Sequence, residues 1–132
     1  MNEDSTLDFI ADNKNTINAI IESEKPNKEY EFINKLTPKV TANIINFFLR
    51  NKKTTWAKLF LKFISDFPEK LNAHAYNLYI NAVHHNGDFD EILKAFDQAH
   101  KLKIADAVTY TTYIKLASDY GEFTEARYAF DQ

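Results

Sequence analysis

The sequence predicts an all-α protein, and three observations support this prediction. Apolar residues recur at intervals of three and four positions along most of the chain, which is the spacing of one face of an α-helix. Only two glycines and three prolines occur in 132 residues, too few for the frequent turns of an all-β fold. Aromatic and glycine residues also recur at an interval of 34, which is typical of stacked helical hairpins.

Three helices are predicted in the N-terminal part of the chain. Ser5 and Asp8 form a capping box that begins the first helix, and Pro26 ends it. A short second helix follows, and the third begins at Thr37-Pro38, where a capping hydroxyl precedes a proline at the first helical position. The apolar faces of the three helices comprise Leu7, Ile10, Ile17, Ile20 and Ile21; Tyr30, Ile33 and Leu36; and Val40, Ile44, Ile45, Phe47 and Phe48.

Five more helices are predicted in the rest of the chain. Their boundaries are marked by helix-breaking and capping residues, namely Pro68, Asn72, Gly87, Asp88, Asp106 and Gly121. Each helix has an apolar face at helical spacing. In chain order these faces comprise Trp56, Leu59, Phe60, Phe63 and Phe67; Tyr76, Tyr79, Ile80 and Val83; Phe89, Ile92, Leu93, Phe96 and Ala99; Tyr110, Tyr113, Ile114 and Ala117; and Phe123, Ala126 and Phe130.

Composition excludes several classes of protein. The absence of cysteine excludes disulfide scaffolds, thiolate zinc sites and cysteine nucleophiles. A net charge of −3 gives little electrostatic support to non-specific binding of nucleic acids or membrane surfaces. No apolar run approaches the roughly 20 residues of a membrane span, and the acidic N-terminus is unlike a secretory signal. We therefore expect an intracellular protein, cytoplasmic or in an organelle matrix, without a membrane partner.

The sequence contains none of the common catalytic or metal-binding motifs. Gly87 and Gly121 are too far apart to form a phosphate-binding loop. The adjacent His84 and His85 would diverge by about 100° on a helix, so they could not chelate one metal ion together. We predict a non-catalytic protein with no metal, no cofactor and no small-molecule substrate.

An internal repeat is the strongest feature of the sequence. Residues 76–98 and 110–132 are identical at ten of 23 positions when one is displaced by 34. Earlier in the chain, Asn43 precedes Asn77 by this same interval, and Phe63 precedes Phe96 by an interval that is shorter by one. A helical hairpin cannot cover both of its apolar faces, so it stacks on the next hairpin, and the interface recurs at the repeat length.

We predict an α-solenoid of about four antiparallel helix hairpins in a single helical-repeat domain. Its parts are an atypical capping hairpin in residues 1–37, a degenerate repeat in 39–72, a repeat in 73–106 and a truncated repeat in 107–132. We also expect the chain to belong to a longer repeat array, because its last helix stops at Gln132 whereas the counterpart continues toward Lys101.

The same residues resemble a known family. Residues 107–114, followed by residues 121–126 and Phe130, resemble a pentatricopeptide repeat, and residues 75–77, Ile80, residues 87–91 and Phe96 follow the same pattern. The resemblance covers residues 73–132 well and residues 39–72 poorly. Tetratricopeptide repeats are similar in period and in the turn. The resemblance implies binding along a concave face lined by the first helix of each hairpin.

Two kinds of partner are compatible with that face. The resemblance implies single-stranded RNA, with a base read by Asn77 and Asp106 and held between His74 and Val108. Further RNA sites would begin at Thr111 and, upstream, combine Asn43 with Asn72. Another protein or a peptide is the first choice, since helical-repeat grooves also hold peptides and the chain is slightly acidic. The side chains expected to face such a partner are Asn77, Asn81, Thr111, Lys115, His84 and His85.

Overall fold

The computed structural model of the protein describes residues 3–22, 30–84 and 89–119. Within these ranges the regular structure consists of eight α-helices and one short 3-10 helix, without any strand, which confirms the all-α prediction. The α-helices are α1 (Glu3–Asp12), α2 (Lys14–Glu22), α3 (Tyr30–Asn34), α4 (Pro38–Arg50), α5 (Thr54–Ile64), α6 (Ala73–His84), α7 (Phe89–Lys101) and α8 (Ala107–Asp119). The 3-10 helix, Pro68–Lys70, lies between α5 and α6.

The longer helices form two layers. In the front layer α4 lies between α1 and α6, and α6 also contacts α8. In the back layer α2 contacts α5, and α7 covers α6 and α8. Helices α4 and α5 are joined by a short turn, so they pack as an antiparallel pair.

One hydrophobic core runs between the layers from α2 to α8. Aromatic rings contact one another in two parts of this core. In the N-terminal part, Phe60 of α5 makes edge contacts with Phe32 and Phe48, at 6.3 and 6.0 Å between ring centroids. At the other end the rings of Phe96 and Tyr113 are stacked, with centroids 4.0 Å apart and planes 6° from parallel. These contacts hold the front helices at fixed positions on the back helices.

Helices α4, α6 and α8 begin with the same kind of cap. The side chains of Thr37, Asn72 and Asp106 each accept a hydrogen bond from the backbone N–H three residues further on, at 3.2, 3.1 and 2.9 Å. Such a cap satisfies one of the N–H groups that a helix N-terminus leaves unpaired. The three predicted caps are thereby confirmed, and they recur at nearly equal intervals along the chain.

The buried positions of α4 coincide with those of α6 when Ala42 is aligned with Asn77. Those of α5 likewise coincide with those of α7 when Leu61 is aligned with Phe96. This holds for every buried residue of α4, namely Thr41, Ala42, Ile44, Ile45 and Phe48, and for every buried residue of α5, namely Ala57, Phe60, Leu61 and Ile64. Alignment of Asn43 with Asn77 would instead place Ile44 and Phe48 at half-buried positions of α6. Burial therefore aligns Asn77 with Ala42 and not with the predicted Asn43.

The N-terminal helix differs from the prediction. The expected single helix is divided at Asn13 into α1 and α2, and α1 begins at Glu3, ahead of the expected capping residue Ser5. The side-chain amide of Asn13 donates to the carbonyl of Phe9 at 2.8 Å, and its oxygen accepts from the ammonium of Lys35 at 3.3 Å. These bonds hold a largely buried asparagine at the break between the two helices.

The apolar stripe expected along the fourth predicted helix is only partly buried. The helix corresponds to α5, which ends at Ile64, so Phe67 lies beyond it. Trp56 lies in the first turn of α5 and is 39% exposed. Its ring packs edge-on against Phe48 and beneath the ammonium of Lys53. The expected turn at residues 85–88 and the expected eighth helix lie outside the described residues.

Candidate functional site

Six of the nine predicted site residues lie at matching positions on two neighbouring front helices. They are His74, Asn77 and Asn81 on α6, and Val108, Thr111 and Lys115 on α8. Residues at positions i, i+3 and i+7 share one face of a helix, and the two triplets are related by the interval of the sequence repeat. We define these six residues as the front face.

Five of the six front-face residues are exposed. Val108 is the most exposed large apolar residue among those the structure describes, at 57%. The hydroxyl of Thr111, the amide of Asn81 and the ammonium of Lys115 lie on the same face of the two helices. The front face therefore offers one apolar side chain together with the hydrogen-bonding groups of His74, Asn81 and Thr111 and a single lysine.

Asn77 is the exception, since it is only 8% exposed. Its Oδ1 accepts a hydrogen bond of 2.7 Å from the hydroxyl of Thr109, which is fully buried on α8. The same hydroxyl lies 3.0 Å from Oδ1 of Asp106. The structure thus brings together the two residues that the sequence pairs, Asn77 and Asp106, and connects them through a third.

Asp106 and Thr109 form a reciprocal cap at the start of α8. The backbone N–H of Thr109 donates to Oδ1 of Asp106 at 2.9 Å, and the backbone N–H of Asp106 donates to the hydroxyl of Thr109 at 3.2 Å. This exchange satisfies two N–H groups at the N-terminus of the helix. A carboxylate is also favourable there because the helix dipole is positive at that end.

The same hydrogen bonds stabilise the ionised form of Asp106. The backbone N–H of Thr109 is the largest cause that lowers the pKa of this carboxyl, and the side chains of Thr109 and Asn77 lower the pKa further. Hydrogen bonds to the ionised form always act in this direction. Asp106 therefore carries a negative charge at neutral pH, next to Val108 on the front face.

The two remaining predicted residues lie beside the front face. Asn72 is half-buried and caps α6 in the way that Asp106 caps α8. Asn43 is half-buried on α4, where the burial pattern aligns it with Leu78. The predicted pairing of Asn43 with Asn72 as an upstream counterpart of Asn77 and Asp106 therefore does not agree with this alignment.

Thr109 is the residue of this site that the sequence analysis missed. It connects both members of the predicted pair, yet in the sequence it is marked only as part of the repeat motif. A local signal for its role exists, because a hydroxyl three residues after a capping aspartate is the second half of a capping box. Its bond to Asn77 has no such signal, since the two residues are 32 positions apart.

The described ranges contain neither a cluster of metal ligands nor a helix that could span a membrane. In residues 3–22, 30–84 and 89–119 no group of three histidine, cysteine or acidic side chains is arranged to hold a metal ion. Over the same ranges, no helix combines the length and the apolar character required to cross a bilayer. Comparison of the chain with models of protein families, with curated proteins and with solved structures finds no match.

Proposed function

We propose that the protein is a non-catalytic helical-repeat scaffold that binds another protein through the front face. The observation that carries this proposal is the hydrogen-bonded cluster of Asn77, Thr109 and Asp106. The two side chains that the resemblance assigns to reading a base are both hydrogen-bonded to Thr109. The large apolar side chain exposed on the face is instead that of Val108.

The regular spacing of caps and buried positions supports the repeat. Helices α4, α6 and α8 start with equivalent caps at Thr37, Asn72 and Asp106, and the buried positions of α4 and α5 recur in α6 and α7 at one constant interval. Stacked hairpins produce this pattern because each one buries the same positions against its neighbour. We therefore interpret the helix pairs α4–α5 and α6–α7, followed by α8, as successive units of a solenoid whose step is close to the interval of the sequence repeat.

The chemistry of the front face favours a protein as the partner. A bound peptide or helix would cover Val108 and exchange hydrogen bonds with Thr111 and Asn81 around it. This combination of an apolar centre with a polar rim is the usual anatomy of a protein interface. Phosphate binding requires a local excess of cations, whereas the front face has one lysine, Lys115, and the ionised Asp106 caps the same helix.

Single-stranded RNA is the second candidate, and one observation favours it. Asn77 and Asp106, the pair to which the resemblance assigns the reading of one base, both lie within hydrogen-bond distance of the hydroxyl of Thr109. To be read by this pair, a base would have to replace the hydrogen bonds that Thr109 now makes, including the buried 2.7 Å bond to Asn77.

Site-specific photo-crosslinking tests the proposal. A benzoylphenylalanine placed at Val108 should crosslink to a discrete protein in an extract of the source cells, and the same group placed at the exposed Glu69 should not. Val108→Asp should abolish co-purification of that protein, whereas Glu69→Lys should leave it intact.

The RNA candidate is tested with the same protein. Labelled uridine-rich and adenine-rich oligonucleotides are titrated at several salt concentrations. Salt-sensitive, uridine-selective binding that Asp106→Ala removes, with no protein crosslink at position 108, would replace the proposed protein partner by RNA.

A further inference from the structure

A cavity of about 220 Å³ opens between α5 and α7, in the back layer. Its apolar part is formed by Leu61, Tyr79 and Ala95, which are buried in the core. Its rim is formed by polar and charged side chains, namely Lys58, Lys62, Glu91, Lys94 and Gln98. We define these eight residues as the back groove.

Glu91, the acidic side chain of the back groove, is bonded to neighbouring side chains. Glu91 is 18% exposed, accepts a hydrogen bond of 2.9 Å from Lys58 and accepts another of 3.3 Å from the hydroxyl of Tyr79. Lys94 lies 3.8 Å from the same carboxylate. The hydrogen bond from Lys58 is the largest cause that lowers the pKa of Glu91. Glu91 is thus ionised at neutral pH and holds Lys58 at the rim.

The other two lysines give the rim an excess of positive charge. The back groove has three lysines and one glutamate, in a chain whose net charge is −3. The side chain of Lys94 is 74% exposed, and Lys62 is exposed as well. Both ammonium groups are therefore accessible to an anionic ligand, and the sign of the rim is opposite to that of the whole chain.

The size of the cavity narrows the class of ligand. Sites for drug-sized molecules and cofactors occupy roughly 300–1,000 Å³, which is more than the back groove provides. Its volume instead suits one large apolar side chain inserted against Leu61 and Ala95. Residues flanking such a side chain would lie on the rim, beside the lysines.

We propose that the back groove binds an acidic segment of a partner protein, which inserts one apolar side chain between α5 and α7. Carboxylates on either side of that side chain pair with Lys62 and Lys94. Burial of the apolar group supplies the affinity, and complementary charge sets the orientation and accelerates association. The inference uses helices of the other layer, so it is independent of the function proposed for the front face.

Fluorescence anisotropy with labelled twelve-residue peptides tests this proposal. The probe is a glutamate-rich peptide with one central leucine. In one matched peptide glutamine replaces every glutamate, and in the other serine replaces the leucine. We expect the probe to bind, and we expect each replacement to weaken binding about tenfold or more. Raising the salt concentration should also weaken binding of the probe, because the rim lysines are exposed.

Charge reversal locates the binding site. The double variant Lys62→Glu, Lys94→Glu should weaken binding of the probe about tenfold or more, whereas Lys115→Glu, on an exposed lysine of α8, should not change it. All three lysines are exposed, so the variants should fold, and circular dichroism checks that they do. Backbone amide NMR signals of α5 and α7 should shift on titration with the probe.

Several results would overturn the proposal. They are absence of probe binding at millimolar concentration, equal binding of the glutamine peptide, and equal weakening by Lys115→Glu. Displacement of the probe by a single-stranded RNA oligonucleotide, with the same dependence on Lys62 and Lys94, would assign the groove to nucleic acid instead.

Discussion

The hydroxyl of Thr109 donates a 2.7 Å hydrogen bond to Oδ1 of Asn77, and this bond joins α8 to α6 inside the protein. Both side chains are buried. A slip of one helix along the other would leave the buried Oδ1 of Asn77 without this partner, which is costly in an environment that excludes water. Asn77, which the sequence marks as a binding residue, therefore also fixes the register of two front helices.

Removing the hydroxyl of Thr109 should destabilise the protein. Thr109→Val keeps the shape of the side chain but leaves Oδ1 of Asn77 and the backbone N–H of Asp106 without this partner. We expect a loss of about 1–3 kcal/mol in the free energy of unfolding, measured by urea denaturation. The matched control is Thr111→Val, the same change on an exposed residue of α8, which should stay within about 0.5 kcal/mol of the wild type. Equal effects of the two variants would show that the buried bond contributes nothing.

The two caps at Asn72 and Asp106 should respond differently to acid. Asp106→Ala and Asn72→Ala each remove a cap, so each should cost about 1 kcal/mol at neutral pH. The folded-state pKa of Asp106 lies below the unfolded value of about 3.9. Its contribution is therefore complete above that value and is lost as the pH falls through the folded-state pKa.

The measurement is the cost of each cap substitution, obtained by urea denaturation between neutral pH and about pH 2.5. The cost of Asp106→Ala should shrink below about pH 4, whereas the cost of Asn72→Ala should stay constant because an amide does not titrate. A parallel decrease in both costs would show that the charge of Asp106 plays no special part in the cap.

The buried Tyr76 predicts a loss of stability in alkali. Tyr76 is fully buried, its hydroxyl donates to Oε1 of Gln98 at 2.9 Å, and burial raises its pKa far above the ordinary value. The unfolded chain loses this proton above about pH 10, whereas the folded protein keeps it. The stability contribution of Tyr76 is therefore complete below about pH 10 and decreases as the pH rises further.

Tyr76→Phe isolates this effect. At neutral pH the variant should lose about 0.5–1.5 kcal/mol, the usual contribution of one hydrogen bond. Above about pH 10 the difference from the wild type should shrink, because phenylalanine has no proton to lose. Urea denaturation at neutral pH and above about pH 10 measures the difference in the free energy of unfolding between the variant and the wild type. A constant difference would mean that Tyr76 ionises equally in the folded and unfolded states.

Local signals account for most of what could be predicted from the sequence. The starts of α4, α6 and α8 follow from Thr37, Asn72 and Asp106, since a cap and the helix it begins are adjacent in the chain. Helical periodicity likewise identifies the core residues of α6 and α7. In these segments the residues that determine the structure lie within one or two turns of each other.

Contacts between distant residues account for what the sequence did not predict. The break at Asn13 involves Lys35, in the turn that follows α3, and the burial of Asn77 depends on Thr109 of α8. Neither relationship leaves a periodic pattern, because each pairs single side chains that are far apart in the chain. The front face was located from a repeat motif, whereas the back groove combines α5 and α7 and has no motif of its own.

The alignment of α5 with α7 is a further point on which sequence and structure differ. Sequence identity pairs Phe63 with Phe96, whereas the burial patterns pair Phe96 with Leu61. Residues 39–72 contain too few residues identical to the later repeats to define the repeat interval. The sequence alignment of α5 with α7 therefore depended on a chance match of Phe63 with Phe96. Phe63 is in fact half-buried and packs against Phe67, with ring centroids 5.9 Å apart.

Truncation of these two residues distinguishes the alignments. Leu61→Ala should destabilise the protein by about 2–5 kcal/mol, because it leaves a cavity in the core. Phe63→Ala should cost less, although it removes the larger side chain, because Phe63 is only half-buried whereas Leu61 is buried. Urea denaturation of the two variants gives the order. A larger loss for Phe63→Ala would favour the alignment by sequence identity, in which Phe63 is the counterpart of the buried Phe96.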